Sequence, residues 1–277
     1  MPRSIISAVP PLLITLTTDF GLRDHYVGAM KGVIAGIAPA ARIIDICHQI
    51  PPYDVAEAAF TIAQAYHWFP QGSIHLVVVD PGVGSARRPI AAEAGGHLFV
   101  APDNGVLSQV FERSAPAVFA IDVERIALKP ASRTFHGRDI FAPLAARLAN
   151  GFPAVDTGDA IADYIRLDPT RPIEESPGRW KGLVLHVDQF GNLVTSLPVE
   201  ILDKSANNFR LKVGSLEITR AAKSYAEAPP HKAFAIAGSS GYVEVSINQA
   251  SAADLAGVGA GAPVRLSETA LLPPRTP

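Results

Sequence analysis

Three carboxylates stand where apolar runs stop. Leu13-Ile14-Thr15-Leu16-Thr17-Thr18 ends in Asp19, Arg42-Ile43-Ile44 ends in Asp45, and Val77-Val78-Val79 ends in Asp80. Such runs predict buried strands. Ligands of open α/β sheets sit beyond the carboxyl ends of the strands, so the three acids predict an assembling site. Asp80 has the most informative surroundings, because the turn Pro81-Gly82-Val83-Gly84 swings the pair Arg87-Arg88 back toward it. Ionised carboxylates accept strong, charge-assisted hydrogen bonds. Asp19 therefore suits the hydroxyls of a polyol such as ribose, and Asp24, across the turn, suits an ammonium group. Asp24 also reads as a helix N-cap and Asp19 as a turn residue. His136, in Thr134-Phe135-His136-Gly137-Arg138-Asp139, lies beside a glycine that permits close approach of backbone to a ligand.

Other chemistries lack their signatures. His48, His67, His75, His97 and His136 are scattered with no His-x-x-x-His pair, and Cys47 is alone. No metal is expected, and a metal held by Asp19, Asp80 and His136 is the weaker alternative. Gly-x-Gly occurs at Gly82 and in Gly257-Val258-Gly259-Ala260-Gly261, but no Gly-x-Gly-x-x-Gly opens a helix after the first strand. A dinucleotide fingerprint, a Walker loop and a Gly-x-Ser-x-Gly elbow are all absent. Farther along, Val187-Asp188-Gln189-Phe190-Gly191-Asn192-Leu193-Val194-Thr195 reads as a hairpin. Gly238–Tyr242 and Ile247–Ser251 read as turns able to offer amides and backbone groups to a heteroaromatic ring.

The elements that must position these residues fall into two groups. The 277 residues, 48% hydrophobic, allow two domains with real cores. A net charge of -2 argues against a nucleic-acid or polybasic membrane surface. One cysteine and no run long enough to span a bilayer fit a cytoplasmic protein. Met1-Pro2-Arg3 before Ile5-Ile6 imitates a signal peptide, but Pro10-Pro11 interrupts it and an ordered first strand follows. Val27, Met30, Val33, Ile34 and Ile37 then recur at helical spacing, and Asp54 can cap a second helix. Strands are expected at Ile74–Val77 and near Ile90 and Leu98, with helices opening at Asn104 and spanning Asp139–Leu148. This alternation predicts an α/β domain over residues 1–170, with a largely parallel sheet flanked by helices. Residues 171–178, rich in proline and charge, read as a linker. Short apolar runs between turns over 179–277 predict an all-β barrel or sandwich.

Taken in order, five segments resemble the S-adenosylmethionine hydroxide adenosyltransferase family, the hydrolytic relatives of the fluorinases and chlorinases. They are Thr17–Asp24 with Tyr26-Val27-Gly28, Asp80–Gly84 with Arg87, Pro102-Asp103-Asn104-Gly105, Thr134–Asp139 and Asp188–Thr195. The resemblance implies an α/β domain joined to a smaller β-barrel domain. It implies a homotrimer whose active sites lie where one subunit's N-terminal domain meets a neighbour's C-terminal domain. The implied reaction splits S-adenosylmethionine with water into adenosine and L-methionine, with no cofactor and no metal. Asp80, Arg87 and His136 would correspond to the water-activating trio. Asp19 would hold the ribose hydroxyls, and Asp24, Asp188, Asn192 and Ser239 would surround the methionine portion. Phe190 and Asn248 would frame adenine, with Tyr53 packed near the substrate. Halogenating relatives carry tyrosine where Asp80 stands, and the fluorinase carries serine where Gly137 stands, so water is expected in place of halide. The alternatives are an adenosyl halide synthase and a non-catalytic adenosine or S-adenosylmethionine sensor.

Overall fold

The structure, a computed structural model, describes residues 13–168, 170–204 and 208–268. Residues 1–12, weighed above against a signal peptide, lie outside them. The chain divides into two compact units between Leu167 and Asp168.

The first unit holds one sheet of β1 (Leu13–Thr18), β2 (Arg42–Cys47), β3 (Ile74–Val78), β4 (Pro89–Ala94), β5 (His97–Pro102), β6 (Ala117–Ile121) and β7 (Gly158–Ile161), in the order β2-β1-β3-β5-β4-β6-β7. The β1–β2, β1–β3 and β3–β5 ladders are parallel, and those joining β4, β6 and β7 are antiparallel. Strands β1 and β3 are buried along their whole length, which explains their unbroken apolar sequence. Alternate residues feed two cores: Leu76 and Val78 pack with Ile14, Met30 and Ile34, while Val77 and Val79 pack with Ile62, Phe99 and Val110. Helices α1 (Tyr26–Ile37) and α2 (Val55–Ala65) contribute to opposite cores, followed by α3 (Ser108–Arg113), α4 (Val123–Ile126) and α5 (Ala142–Ala149). The helix expected over Asp139–Leu148 begins as a π-helical turn, Gly137–Phe141, that runs into α5. Because β2 and β3 flank β1 on opposite sides, the strand order reverses beside β1. The segments leaving β1 and β3, which carry Asp19 and Asp80, therefore border the crevice where such sheets bind ligands.

The second unit is one curled sheet of β8 (Ile173–Ser176), β9 (Arg179–Val187), β10 (Leu193–Pro198), β11 (Phe209–Val213), β12 (Leu216–Ile218), β13 (Ala221–Ala222), β14 (Ala233–Ala237), β15 (Tyr242–Ile247) and β16 (Pro263–Glu268). Its path runs β12-β11-β16-β9-β10-β15-β14-β13, and β12 packs back against β14. Strand β8, inside the stretch read as a linker, pairs with the start of β9. Short helices α6 (Val199–Lys204) and α7 (Ala252–Ala256) fill corners. Among the described residues, no helix is long and apolar enough to cross a membrane.

One buried polar chain crosses the first sheet. His75 Nδ1 lies 2.7 Å from Thr15 Oγ1, and its Nε2 lies 3.2 Å from His97 Nδ1. Burial, then the neighbouring His97, pushes the His75 pKa down to about 3. The unfolded imidazole titrates near 6.5, so below that pH the unfolded chain binds a proton that the folded chain refuses. Stability should therefore fall as pH drops from 6.5 toward 3, with His75 contributing up to about 1.4 kcal/mol per pH unit. Urea unfolding across this window checks it: His75→Gln should show a shallower slope. An unchanged slope would mean that the folded protein carries a charged His75.

Candidate active site

In the first unit, the acid at the end of β3 is met by one arginine. Arg87 Nε donates to Asp80 Oδ1 at 2.8 Å and its Nη2 donates to Oδ2, with the two side chains only 8% and 5% exposed. The turn between them is held by Val83 N to Asp80 O at 3.2 Å and Ser85 N to Gly82 O at 3.1 Å. Gly84 is needed there twice over. Its φ is +78°, and a Cβ would stand 2.6 Å from the Arg133 carbonyl oxygen. From below, Asn104 Nδ2 donates to the carbonyl of Val79, the residue before Asp80, at 2.9 Å. Arg88 does not join this acid as expected. It turns to Asp103 and Asp163 and so ties two loops of the unit together.

His136 completes the group from the start of the π-helical turn. Its Nδ1 lies 2.8 Å from Arg87 Nη2. A guanidinium can only donate, so Nδ1 accepts, the imidazole is neutral, and the proton sits on Nε2. Burial, then the Arg87 charge, lowers the His136 pKa against the opposing pull of Asp80 and Asp139. The loop carrying His136 is anchored by Asp139, which accepts from Arg138 Nε at 2.6 Å and from Ser132 N at 2.7 Å. Arg87 Nη1 is buried without a hydrogen-bond partner among the described residues. One donor thus faces inward, unused. Around Gly137 the packing is tight: a Cβ would meet Met30 Sδ at 3.1 Å, Phe20 Cε2 at 3.3 Å and Phe135 Cε2 at 3.4 Å.

Asp19 lies in the same unit and accepts from the backbone of Tyr53 at 2.9 Å. Tyr53 holds an unfavourable φ of +71° and is 72% exposed. Burial, reinforced by the charge of Asp80, raises the Asp19 pKa against the Tyr53 hydrogen bond. Asp24 is exposed and does not cap α1, whose N-cap is His25 without a side-chain bond. Asp45 does not reach this group: it sits within β2, bonded to Lys31 and 3.0 Å from His48. Arg87 lies between Asp80 and His136. Among the described residues, no group of three His, Cys, Asp or Glu is arranged to hold a metal ion.

In the second unit, a cavity of about 650 Å³ is lined by Asp188, Phe190, Asn192, Asn248, Gln249 and Tyr225, among others. Asp188 Oδ1 accepts from the backbones of Phe190 and Asn192, both at 2.9 Å, and Oδ2 accepts from Asn192 Nδ2 at 2.7 Å. This carboxylate shapes its own loop before it meets any ligand. Gly191, at φ +81°, lies where a Cβ would collide with Ser251. Phe190 is 79% exposed, presenting an open aromatic face. Asn248 Nδ2 donates to the Ala228 carbonyl at 2.9 Å. Ser239 is exposed in the β14–β15 turn and does not line the cavity. Tyr225, absent from the sequence expectations, does line it; its hydroxyl donates to the buried Glu244 at 3.1 Å. Burial, then Glu244, pushes the Tyr225 pKa up to about 12.

Comparison with known proteins matches these features to one family. Residues 14–158 match the model of the SAM hydroxide adenosyltransferase N-terminal domain, and residues 182–265 match that of its C-terminal domain. The chain is 39% identical to an (R)-S-adenosyl-L-methionine hydrolase of Salinispora arenicola, over 92% of this chain and 97% of that one. A crystal structure of a conserved protein from Thermotoga maritima superposes with a TM-score of 0.87 at 35% identity, covering 92% of this chain and all of that one. A fluorinase of an Actinoplanes species is more distant, 28% identical over 73% of this chain and 76% of its own. The two domain models, taken with the relatives, place the chain in the SAM hydroxide adenosyltransferase family.

Proposed function

We propose that this protein hydrolyses S-adenosyl-L-methionine by attack of water on the ribose 5′ carbon, releasing adenosine and L-methionine. The observation that carries this reading is the Asp80–Arg87–His136 group, with a nearly buried ion pair and a half-buried imidazole, where β3 ends beside the reversal of strand order. A sulfonium is already a good leaving group, so the difficulty lies with the weak nucleophile. The new bond forms between water oxygen and C5′ while the C5′–S bond breaks, its electron pair leaving on the methionine sulfur. Within the trio, His136 Nδ1 is engaged by Arg87 and Nε2 carries a proton, so Asp80 is the group left to accept the proton of the attacking water. His136 Nε2–H is a donor able to orient that water, and the neighbouring Arg87 charge stabilises its hydroxide character. Such positioning is worth roughly 7–11 kcal/mol of barrier in favourable cases.

Asp19, held by Tyr53, grips the ribose hydroxyls, and Asp24 lies nearer the methionine end. Phe190 and Asn248 frame adenine in the second unit, and Asp188, Asn192 and Ser239 serve the methionine portion. Neither metal nor cofactor takes part. Exposed Leu22, Tyr53 and Val83 on loops of the first unit, with Tyr26 at the start of α1, support a site completed by a neighbouring subunit. The assembly is then a homotrimer, with the second unit of one subunit closing the first unit of the next, in the cytoplasm. Tight packing at Gly137 and the carboxylate at position 80 favour water over halide.

Incubation of purified protein with S-adenosylmethionine in halide-free, ¹⁸O-enriched water should yield adenosine carrying the label on its 5′ oxygen. Unlabelled adenosine, or a product that requires halide, would refute the reading. Asp80→Asn, Arg87→Ala and His136→Ala should each lower kcat about 10²–10⁴-fold, with a far smaller change in substrate affinity. Single-turnover kinetics separate the two effects.

Protonating His136 would set two donors against each other at the Arg87 contact. Activity should therefore be present with neutral His136 and lost as pH falls through its pKa, which the fold holds below the ordinary 6.5. A kcat/KM profile in which the limb removed by His136→Ala lies at or above pH 6.5 would contradict the neutral assignment.

A further inference from the structure

Asp45, set apart from the trio, terminates a second buried chain. Phe20 N donates to Thr18 Oγ1 at 3.3 Å, and Thr18 Oγ1 lies 2.9 Å from His48 Nδ1. His48 Nε2 lies 3.0 Å from Asp45 Oδ1, and Lys31 Nζ donates to Asp45 Oδ2 at 2.6 Å. The Thr18 hydroxyl has one proton and two lone pairs, enough to accept from the Phe20 amide and still meet His48 Nδ1, while the His48 Nε2–Asp45 contact is close but not aligned as a hydrogen bond. Lys31 and Asp45 are over a third exposed, whereas Thr18 and His48 are buried. A surface ion pair is thereby linked to the residue immediately before Asp19. His48 also holds the same loop through its main chain, its carbonyl accepting from Gly21 N at 2.7 Å. Asp19 is bracketed on both sides, by Thr18 and by Phe20-Gly21, while Tyr53, five residues after His48, fixes its Oδ2.

We propose that His48 is a positioning residue for substrate recognition: acting through Thr18, with Asp45 and Lys31 behind it, it fixes the Asp19 carboxylate to read the vicinal hydroxyls of the ribose. The inference rests on Asp19 meeting the ribose, as set out above. The physical reason for such a relay is that Asp19 leaves β1 on a loop and its carboxylate is held only by main-chain amides, those of Tyr53 and of Asp19 itself, among the described residues. A carboxylate free to swing would grip two adjacent hydroxyls poorly, because bidentate recognition depends on its plane being held. The groups facing His48 are Thr18 on β1 and Asp45 on β2, the strand His48 directly follows, with Lys31 reaching Asp45 from α1.

The test compares adenosine with 2′-deoxyadenosine by calorimetry, and S-adenosylmethionine with its 2′-deoxy analogue by steady-state kinetics. It uses the wild type, His48→Ala, Thr18→Val and Thr18→Ser. Thr18→Val keeps the buried shape and removes only the hydroxyl. In both His48→Ala and Thr18→Val, the preference for the full ribose should shrink about tenfold, with KM for S-adenosylmethionine rising and kcat nearly unchanged. Thr18→Ser should restore the preference. Equal losses for both ligands would mean a merely structural role and overturn the proposal, as would unaltered discrimination. If His48→Ala does not fold, the valine and serine pair decides alone. Should the wild type bind adenosine yet not cleave S-adenosylmethionine, the proposed hydrolysis fails, while the binding comparison still decides the role of His48.

Discussion

The Arg87 guanidinium sets the chemistry of its site by being shared. It donates twice to Asp80 and once to His136, at the end of a fully buried strand. A fixed cation there does three things at once. It compensates the Asp80 charge in a poorly solvated place, where an unpaired carboxylate would be costly. It dictates the imidazole tautomer, since an atom facing guanidinium must accept. It also leaves one buried nitrogen, Nη1, without a partner among the described residues. Replacing the arginine by another cation would not preserve this, because lysine lacks the planar fork that meets two acceptors together.

Most of the surrounding structure can be understood as holding that fork. The Gly84 turn fits against the Arg133 carbonyl, so the loop after β3 and the loop before His136 are packed backbone to backbone. Asn104 secures Val79, and Asp139 secures the segment from Ser132 onward. The loops after β3 and β5 leave the parallel centre of the sheet, and the segment before His136 packs against the first of them. The rigid central strands set their roots, and side-chain hydrogen bonds set their tips. Loops positioned in this way can carry function without being mobile.

The acids at strand ends, the Pro-Gly-x-Gly turn and the switch from helical to two-residue periodicity were all readable before the fold, because each reports a local property of the chain. Long-range partnership is not local, and there the reading failed. Of the adjacent Arg87 and Arg88, only Arg87 returns to Asp80; the family resemblance singles out Arg87, but local chemistry does not distinguish the two, since Asp103 and Asp163, which capture Arg88, are brought near only by the fold. Asp45 shares the pattern of Asp19 and Asp80 but lies within an edge strand beside Lys31. Tyr225 lines the second unit's cavity because Glu244, a buried acid on β15, receives its hydroxyl. A carboxylate in the middle of a strand gives no sign of which side chain it will hold. Strands β6 and β7 escaped notice because β7 is short and half exposed and β6 follows a Pro-interrupted turn.

The two acids of the first unit answer differently to a cationic ligand. Asp80 is neutralised within the protein by Arg87, whereas Asp19 has only backbone amides and a pKa raised first by burial and then by Asp80. An empty crevice therefore leaves one carboxylate under electrostatic pressure. A ligand bearing a sulfonium or ammonium relieves that pressure, and hydroxyl donors satisfy the remaining lone pairs. Neutral ligands offer only the second contribution. The same asymmetry separates the two acids: Asp80 is compensated before any ligand arrives, and Asp19 is the one that gains by meeting a cation.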